Sequence, residues 1–76
     1  MIERPLDLLN ESKGKKVLVY CKEGKVFSGN LMAFDIHINL VLDKMKELDE
    51  VGGISKSFSL SFIRGDNINF ISPGEK

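Results

Sequence analysis

Along the chain the apolar positions recur first as a helix spaces them and then as strands do. Over residues 4–12, Pro5 suits the first helical position, where a missing N–H costs nothing. Leu6 and Leu9, with Leu8 beside them, fall on one side, and Asp7 sits favourably in the first turn. Ser12-Lys13-Gly14 ends the pattern. A helix this short, with one leucine stripe, is expected to cap an open end of a barrel or sheet.

Five strand-like stretches follow, at about 16–22, 25–35, 40–48, 54–64 and 67–71. The first, around Val17-Leu18-Val19-Tyr20-Cys21, is apolar on both faces, which predicts a central or covered strand. Glu23-Gly24 marks a tight turn to the second. Gly29 interrupts that second stretch and predicts a bulge, bend or close backbone approach. The fourth is the cleanest: Ser57, Ser59 and Ser61 alternate with Phe58, Leu60 and Phe62, a period of two that predicts one buried face. Residues 49–53 read as a solvated acidic hairpin tip, and Ser72-Pro73-Gly74 stops the fifth stretch. One helix followed by five short strands predicts a mainly β fold: a strongly bent, open small barrel of SH3-like or OB-like type. An open barrel has two edges, and solitary proteins normally blunt edges with charge or proline. No charge lies between residues 57 and 63, nor in the fifth stretch. Pairing of these two different edges between copies is therefore expected, and such head-to-tail contacts close into a ring where the rotation permits.

Length and composition narrow the picture. A chain of 76 residues is expected to form one domain, with a core small enough that association with other copies helps to stabilise it. The single cysteine, Cys21, excludes an internal disulfide framework and offers no zinc-type cluster. It is expected to be a small buried hydrophobe in a reducing, cytoplasmic setting. No apolar stretch approaches the ~20 residues that span a bilayer, and Met1-Ile2-Glu3-Arg4-Pro5 carries no secretory signal, so a soluble protein without a membrane role is expected. The 11 basic and 11 acidic residues cancel. A protein that coats duplex DNA draws its affinity from a basic excess, so the balance argues against that class. It leaves room for a site that reads bases with a few placed groups.

Such groups gather where the strand patterns break. One loop presents Asp35, His37 and Asn39, which point the same way if that loop is extended; a second presents Arg64, Asp66 and Asn67. An Asn amide offers a donor and an acceptor to a base edge. His and Arg offer flat faces for stacking on an unpaired base. Asp35 and Asp66 are placed to orient Asn39 or Arg64. Gly65 is expected to supply a positive φ at a tight bend. Three other readings stand beside this one. Asp35 and Asn39 are also good turn formers, and Arg64 with Asp66 makes an ordinary surface ion pair. His37 with two carboxylates could hold a divalent ion, though no ligand spacing supports it and no cofactor is expected. Catalysis would need a nucleophile that the sequence does not name, so the chain reads as a non-enzyme.

Two segments, Gly29-x-Leu31-x-x-Phe34-Asp35-x-His37-Ile38-Asn39-Leu40-x-Leu42 and Ile63-Arg64-Gly65-Asp66-Asn67-Ile68, together with the Arg4-Pro5-Leu6 opening, resemble the Sm-like (LSm) proteins, most closely the archaeal type. The match covers nearly the whole chain, and two motifs at this spacing are a specific signal. Ile38 departs from the common methionine, and residues 43–53 fall in the family's variable part. The resemblance implies a five-stranded bent barrel assembled into a homo-oligomeric ring, most often of seven subunits. The fourth strand of one subunit would pair with the fifth of the next, through Phe58, Leu60, Phe62, Ile68 and Phe70. It also implies binding of single-stranded, uridine-rich RNA at the inner rim, in a scaffold or chaperone role in RNA processing, with RNA-processing proteins as further partners. His37 and Arg64 would sandwich the uracil and Asn39 would read its edge. Asp35 and Asp66 would support them, while Gly65 and Asn67 shape the second loop. An assembly platform with little direct RNA contact is the alternative, and it would bind oligo-U and oligo-C indifferently.

Overall fold

The computed structural model describes residues 5–73; Arg4, expected in the helix, and Gly74, expected in the stop after the last strand, lie outside them. Helix α1 spans Pro5–Asn10 and runs on into turns, with the Ser12 N–H donating to the Leu9 carbonyl at 2.9 Å. Gly14, at φ 81°, reverses the chain. Leu9 packs against the core and Leu6 is half-buried, while Leu8 stays exposed. The stripe therefore covers the sheet with two of its three leucines.

The strands are β1 (Lys16–Cys21), β2 (Val26–Phe34), β3 (Leu40–Leu48), β4 (Ile54–Ser57), β5 (Ser61–Ile63) and β6 (Ile68–Pro73). All pairings are antiparallel, in the order β4-β3-β2-β1-β6, with β5 also on β3. β1 lies between β2 and β6, as its two apolar faces predict. Its turn into β2 holds both middle residues, Glu23 (φ 64°) and Gly24 (φ 75°), at positive φ. That is the twist a two-residue hairpin needs.

Two bulges bend the β2–β3 ribbon. At the first, Ser28 pairs with Lys46 and Asn30 with Asp43, so Gly29 opposes both Lys44 and Met45. Lys44 takes φ 53°, a place usually given to glycine. A Cβ on Gly29 would meet the Leu42 Cβ at 3.1 Å and the Asp43 carbonyl at 3.2 Å, tight contacts that the glycine avoids. At the second bulge Met32 is the extra residue, between Leu31 and Ala33.

Contrary to expectation, the fourth stretch is not a single regular strand with a buried face. It divides into β4 and β5 around Met45, whose carbonyl accepts from the Phe58 N–H at 2.7 Å while its N–H donates to the Ser59 carbonyl at 3.4 Å. Phe58, Leu60 and Phe62 are exposed, Phe62 at 77%. The alternation correctly separates two faces, but the face packed against the core includes Ile63 instead.

The buried cluster consists of Val17, Val19, Cys21, Leu31, Leu40, Leu42, Met45 and Ile63. Burying each large apolar side chain contributes ~1.5–3 kcal/mol. On the other side of the sheet, residues directly opposite one another form a row across five strands: Phe70, Tyr20, Val26, Leu48 and Ile54. Tyr20 and Phe70 stack with ring centroids 4.3 Å apart. The row ends in exposed Phe70 on β6 and exposed Ile54 on β4. Both free edges of the sheet therefore carry exposed apolar side chains.

Candidate nucleic-acid interface

The loop between β2 and β3 is not extended. Its Asp35 carbonyl accepts from the Ile38 N–H at 3.0 Å, closing a turn, and the Asp35 carboxylate folds over it. One carboxylate oxygen accepts from the His37 N–H at 2.9 Å and the Asn39 N–H at 3.1 Å. The other accepts from Asn39 Nδ2 at 3.0 Å. Asp35 is thus both a turn former and the residue that holds Asn39, so those two readings describe one set of bonds. Donation by Asn39, side chain first and backbone second, holds the Asp35 carboxyl below its ordinary value. Residues 35, 37 and 39 do not project in parallel, which corrects the picture of an extended loop.

Ile38 closes the turn at φ 62°. For a β-branched side chain that is a true outlier, with strain of ~1–3 kcal/mol that the surroundings must impose. Part of that constraint comes from the second loop, a 3-10 turn at Gly65–Asn67. Gly65 does not adopt positive φ, contrary to expectation. It is glycine because a Cβ there would collide with the His37 carbonyl oxygen and stand 3.0 Å from the Ile38 carbonyl carbon and oxygen. The same closeness lets the Gly65 N–H donate to Asn39 Oδ1 at 2.7 Å.

The Asn39 amide is therefore pinned at both ends: Nδ2 against a carboxylate, Oδ1 against a backbone N–H. Flipping it would set oxygen against Asp35 and NH2 against the Gly65 donor, so its orientation is dictated. One N–H of the NH2 group and one lone pair on Oδ1 stay uncommitted, and the residue is exposed.

Asp35, Asn39 and Arg64 line one hollow of about 500 Å³, walled by Phe34, Val41 and Phe62. Arg64 Nη2 meets Asp66 Oδ2 at 3.2 Å, with the two side chains 79% and 63% exposed. A pair so open to water is worth ~0–1 kcal/mol, so it orients the guanidinium more than it stabilises the fold. The Asn67 N–H donates to the Arg64 carbonyl at 3.0 Å and closes the second loop. His37 lines a different hollow, with Leu6, Leu9, Gly65 and Asn69. Within one chain hydrogen bonds join Asp35 to His37 and Asn39, Asn39 to Gly65, and Arg64 to Asp66 and Asn67, but of these only Asp35, Asn39 and Arg64 line the first hollow, and His37 lines the other. Sequence reasoning missed the apolar wall. Its only signal was position, with Phe34 directly before Asp35 and Phe62 two residues before Arg64.

Among the described residues, no group of three or more His, Cys, Asp or Glu side chains is placed to hold a metal ion. Burial pushes the Cys21 thiol up from its ordinary value. No described helix is long and apolar enough to cross a membrane.

Comparison with known proteins places this arrangement. The family model for the LSM domain matches residues 7–73. A Pyrococcus furiosus protein described as snRNP Sm-like is 45% identical over 76 residues, covering 100% of this chain and 99% of its own. The structure of the Pyrococcus abyssi Sm protein in complex with a uridine heptamer is 43% identical, covering 95% of this chain and 100% of that one, with a TM-score of 0.89. The P. aerophilum SmAP1 heptamer is 32% identical over the whole of both chains, with a TM-score of 0.90. A bent antiparallel sheet under a short helix, two loops locked through Asn39 and Gly65, and full-length similarity to Sm proteins all agree: the chain belongs to the LSM family.

Proposed function

We propose that this chain forms a homo-oligomeric ring, a heptamer, that binds single-stranded uridine-rich RNA at its inner rim and serves as a non-enzymatic scaffold or chaperone in cytoplasmic RNA processing. The observation that carries the reading is the fixed Asn39 amide. Its free N–H and free lone pair match a uracil edge, which offers a carbonyl acceptor beside the N3–H donor. Cytosine presents the reverse order along the corresponding edge, and an amide pinned by Asp35 and Gly65 cannot turn to suit it. Arg64, exposed beside Asn39, stacks on the base, and His37 supplies the opposite face. Asp66 steadies Arg64, and Asn67 closes the loop that carries it. The apolar edges, with exposed Phe58, Leu60 and Phe62 on one side and exposed Phe70 beside half-buried Ile68 on the other, form the subunit contacts. The uridine heptamer held by the Pyrococcus abyssi relative supports the ligand class, and the heptameric relative supports the assembly.

Fluorescence anisotropy with oligo-U and oligo-C, alongside native mass spectrometry, tests this. His37→Ala and Arg64→Ala are each expected to weaken oligo-U binding about tenfold, the scale of one base stacked on a side chain, with the ring intact. Asn39→Ala is expected to reduce the preference for U over C. A ring that binds both oligomers equally, or three variants that bind as the parent does, would refute the assignment.

A further inference from the structure

Arg64 stands on a ridge between two hollows. On one side lies the hollow with Asn39 and Asp35. On the other lies a second, of about 400 Å³, bordered by Lys22, Lys25 and Asn67 over an apolar floor that includes Cys21 and Met45. Ile63 and Arg64 line both. In a chain whose formal charges cancel, this second hollow gathers three cations, Lys22, Lys25 and Arg64, against one carboxylate, Glu23. The two lysines flank the β1–β2 turn, which has a defined shape: the Cys21 N–H donates to the Lys25 carbonyl at 2.8 Å, with Glu23 and Gly24 both at positive φ. The lysines are exposed but held at a fixed spacing by that backbone.

We propose that this second hollow receives the phosphate and sugar of the nucleotide adjoining the one whose base Asn39 reads, so that single-stranded RNA crosses over Arg64 from one hollow to the other. The proposal rests on the base site described above and adds a backbone subsite to it. Lysine ammonium groups bind phosphate as mobile point charges, and an apolar floor accepts the face of a ribose or base. A neutral chain has no long-range attraction for a polyanion, so a local basic cluster beside the base site supplies what net charge does not. Phe62 also borders both hollows, but its exposed ring is assigned to the neighbouring subunit, and the phosphate contact does not need it.

The test compares two charge-matched double variants of the full chain. Lys22→Gln/Lys25→Gln removes the proposed phosphate partners. Lys13→Gln/Lys15→Gln removes two exposed lysines from the loop between α1 and β1. Oligo-U affinity is measured against salt concentration, with native mass spectrometry to confirm the same assembly. The first pair is expected to flatten the slope of log K against log salt by about 0.7 for each phosphate no longer neutralised, while keeping the preference for U over C. The control pair is expected to leave the slope unchanged. Equal flattening by both pairs would mean diffuse attraction, and no flattening by either would mean that no phosphate sits there; each overturns the proposal. Asn39→Ala, measured alongside, separates the two failures. If it keeps full U preference the base site itself is wrong, whereas loss of preference with unaltered Lys22 and Lys25 slopes sinks the backbone subsite alone.

Discussion

Gly65 shows how much one residue can carry without touching a ligand. Its missing Cβ lets two loops meet backbone to backbone, and its N–H fixes the orientation of Asn39. Gly65→Ala is expected to push the His37-Ile38 backbone away, destabilise the fold by ~1–3 kcal/mol as overpacking does, and weaken oligo-U binding at least as much as Asn39→Ala. Chemical denaturation and anisotropy on one preparation would check both effects. The sequence announced a glycine here but not its reason. Positive φ and close approach ask for the same residue, and only the position of the His37 carbonyl decides between them. The strained φ of Ile38 was illegible for a related cause, since a β-branched residue argues against that conformation and tertiary packing overrode it. Asp35 carries a pH prediction. Its carboxyl is held below the ordinary range by donors that exist only in the folded loop, so the native state favours the ionised form. The resulting stabilisation is complete above the ordinary carboxylate value and is lost as pH falls through the lower folded value. NMR titration should show the His37 and Asn39 amide resonances shifting together at a pH below that of an ordinary aspartate, and Asp35→Asn should abolish that transition. Amides that titrate in the ordinary range would contradict it.

The elements were largely legible where local chemistry sets them. Glycine at position 29 marked the bend, the Glu23-Gly24 pair marked the turn, and apolar runs marked a central β1. The hidden part was the division of the fourth stretch. Its cause is across the sheet, in the bulge that places Met45 between Phe58 and Ser59, and a strand's own pattern cannot report its partner's irregularity. Period two likewise tells which residues share a face but not which face meets the core, so Phe58, Leu60 and Phe62 read as buried while lying exposed in the single chain. The β1–β2 hairpin yields the prediction at this scale. Glu23 occupies a left-handed position that Asn adopts more readily, so Glu23→Asn is expected to raise stability by ~0.5 kcal/mol, within the ~1–2 kcal/mol cost of that conformation for other residues. A higher denaturation midpoint with unchanged slope would confirm it.

At the scale of the whole molecule, the two free edges and the row from Phe70 to Ile54 are the proposed contacts between copies. Phe70→Lys places a charge at the end of that row and removes the stack on Tyr20. It is expected to shift the ring to smaller species by native mass spectrometry, and to lower the melting temperature as the copies lose mutual burial. An undisturbed heptamer would show that the subunits meet elsewhere. The turn at Gly65–Asn67 leads without a spacer into β6, so the residue that locks Asn39 and the strand proposed to face the next subunit belong to one short segment. In the proposed ring, ordering of that turn by RNA would reach the subunit boundary, and by reciprocity subunit contact would favour RNA to the same extent. Such a ring would be a clasp closed by its own cargo. Labelled and unlabelled rings should trade subunits more slowly once oligo-U is bound, and a Gly65→Ala ring should lose that protection along with its grip.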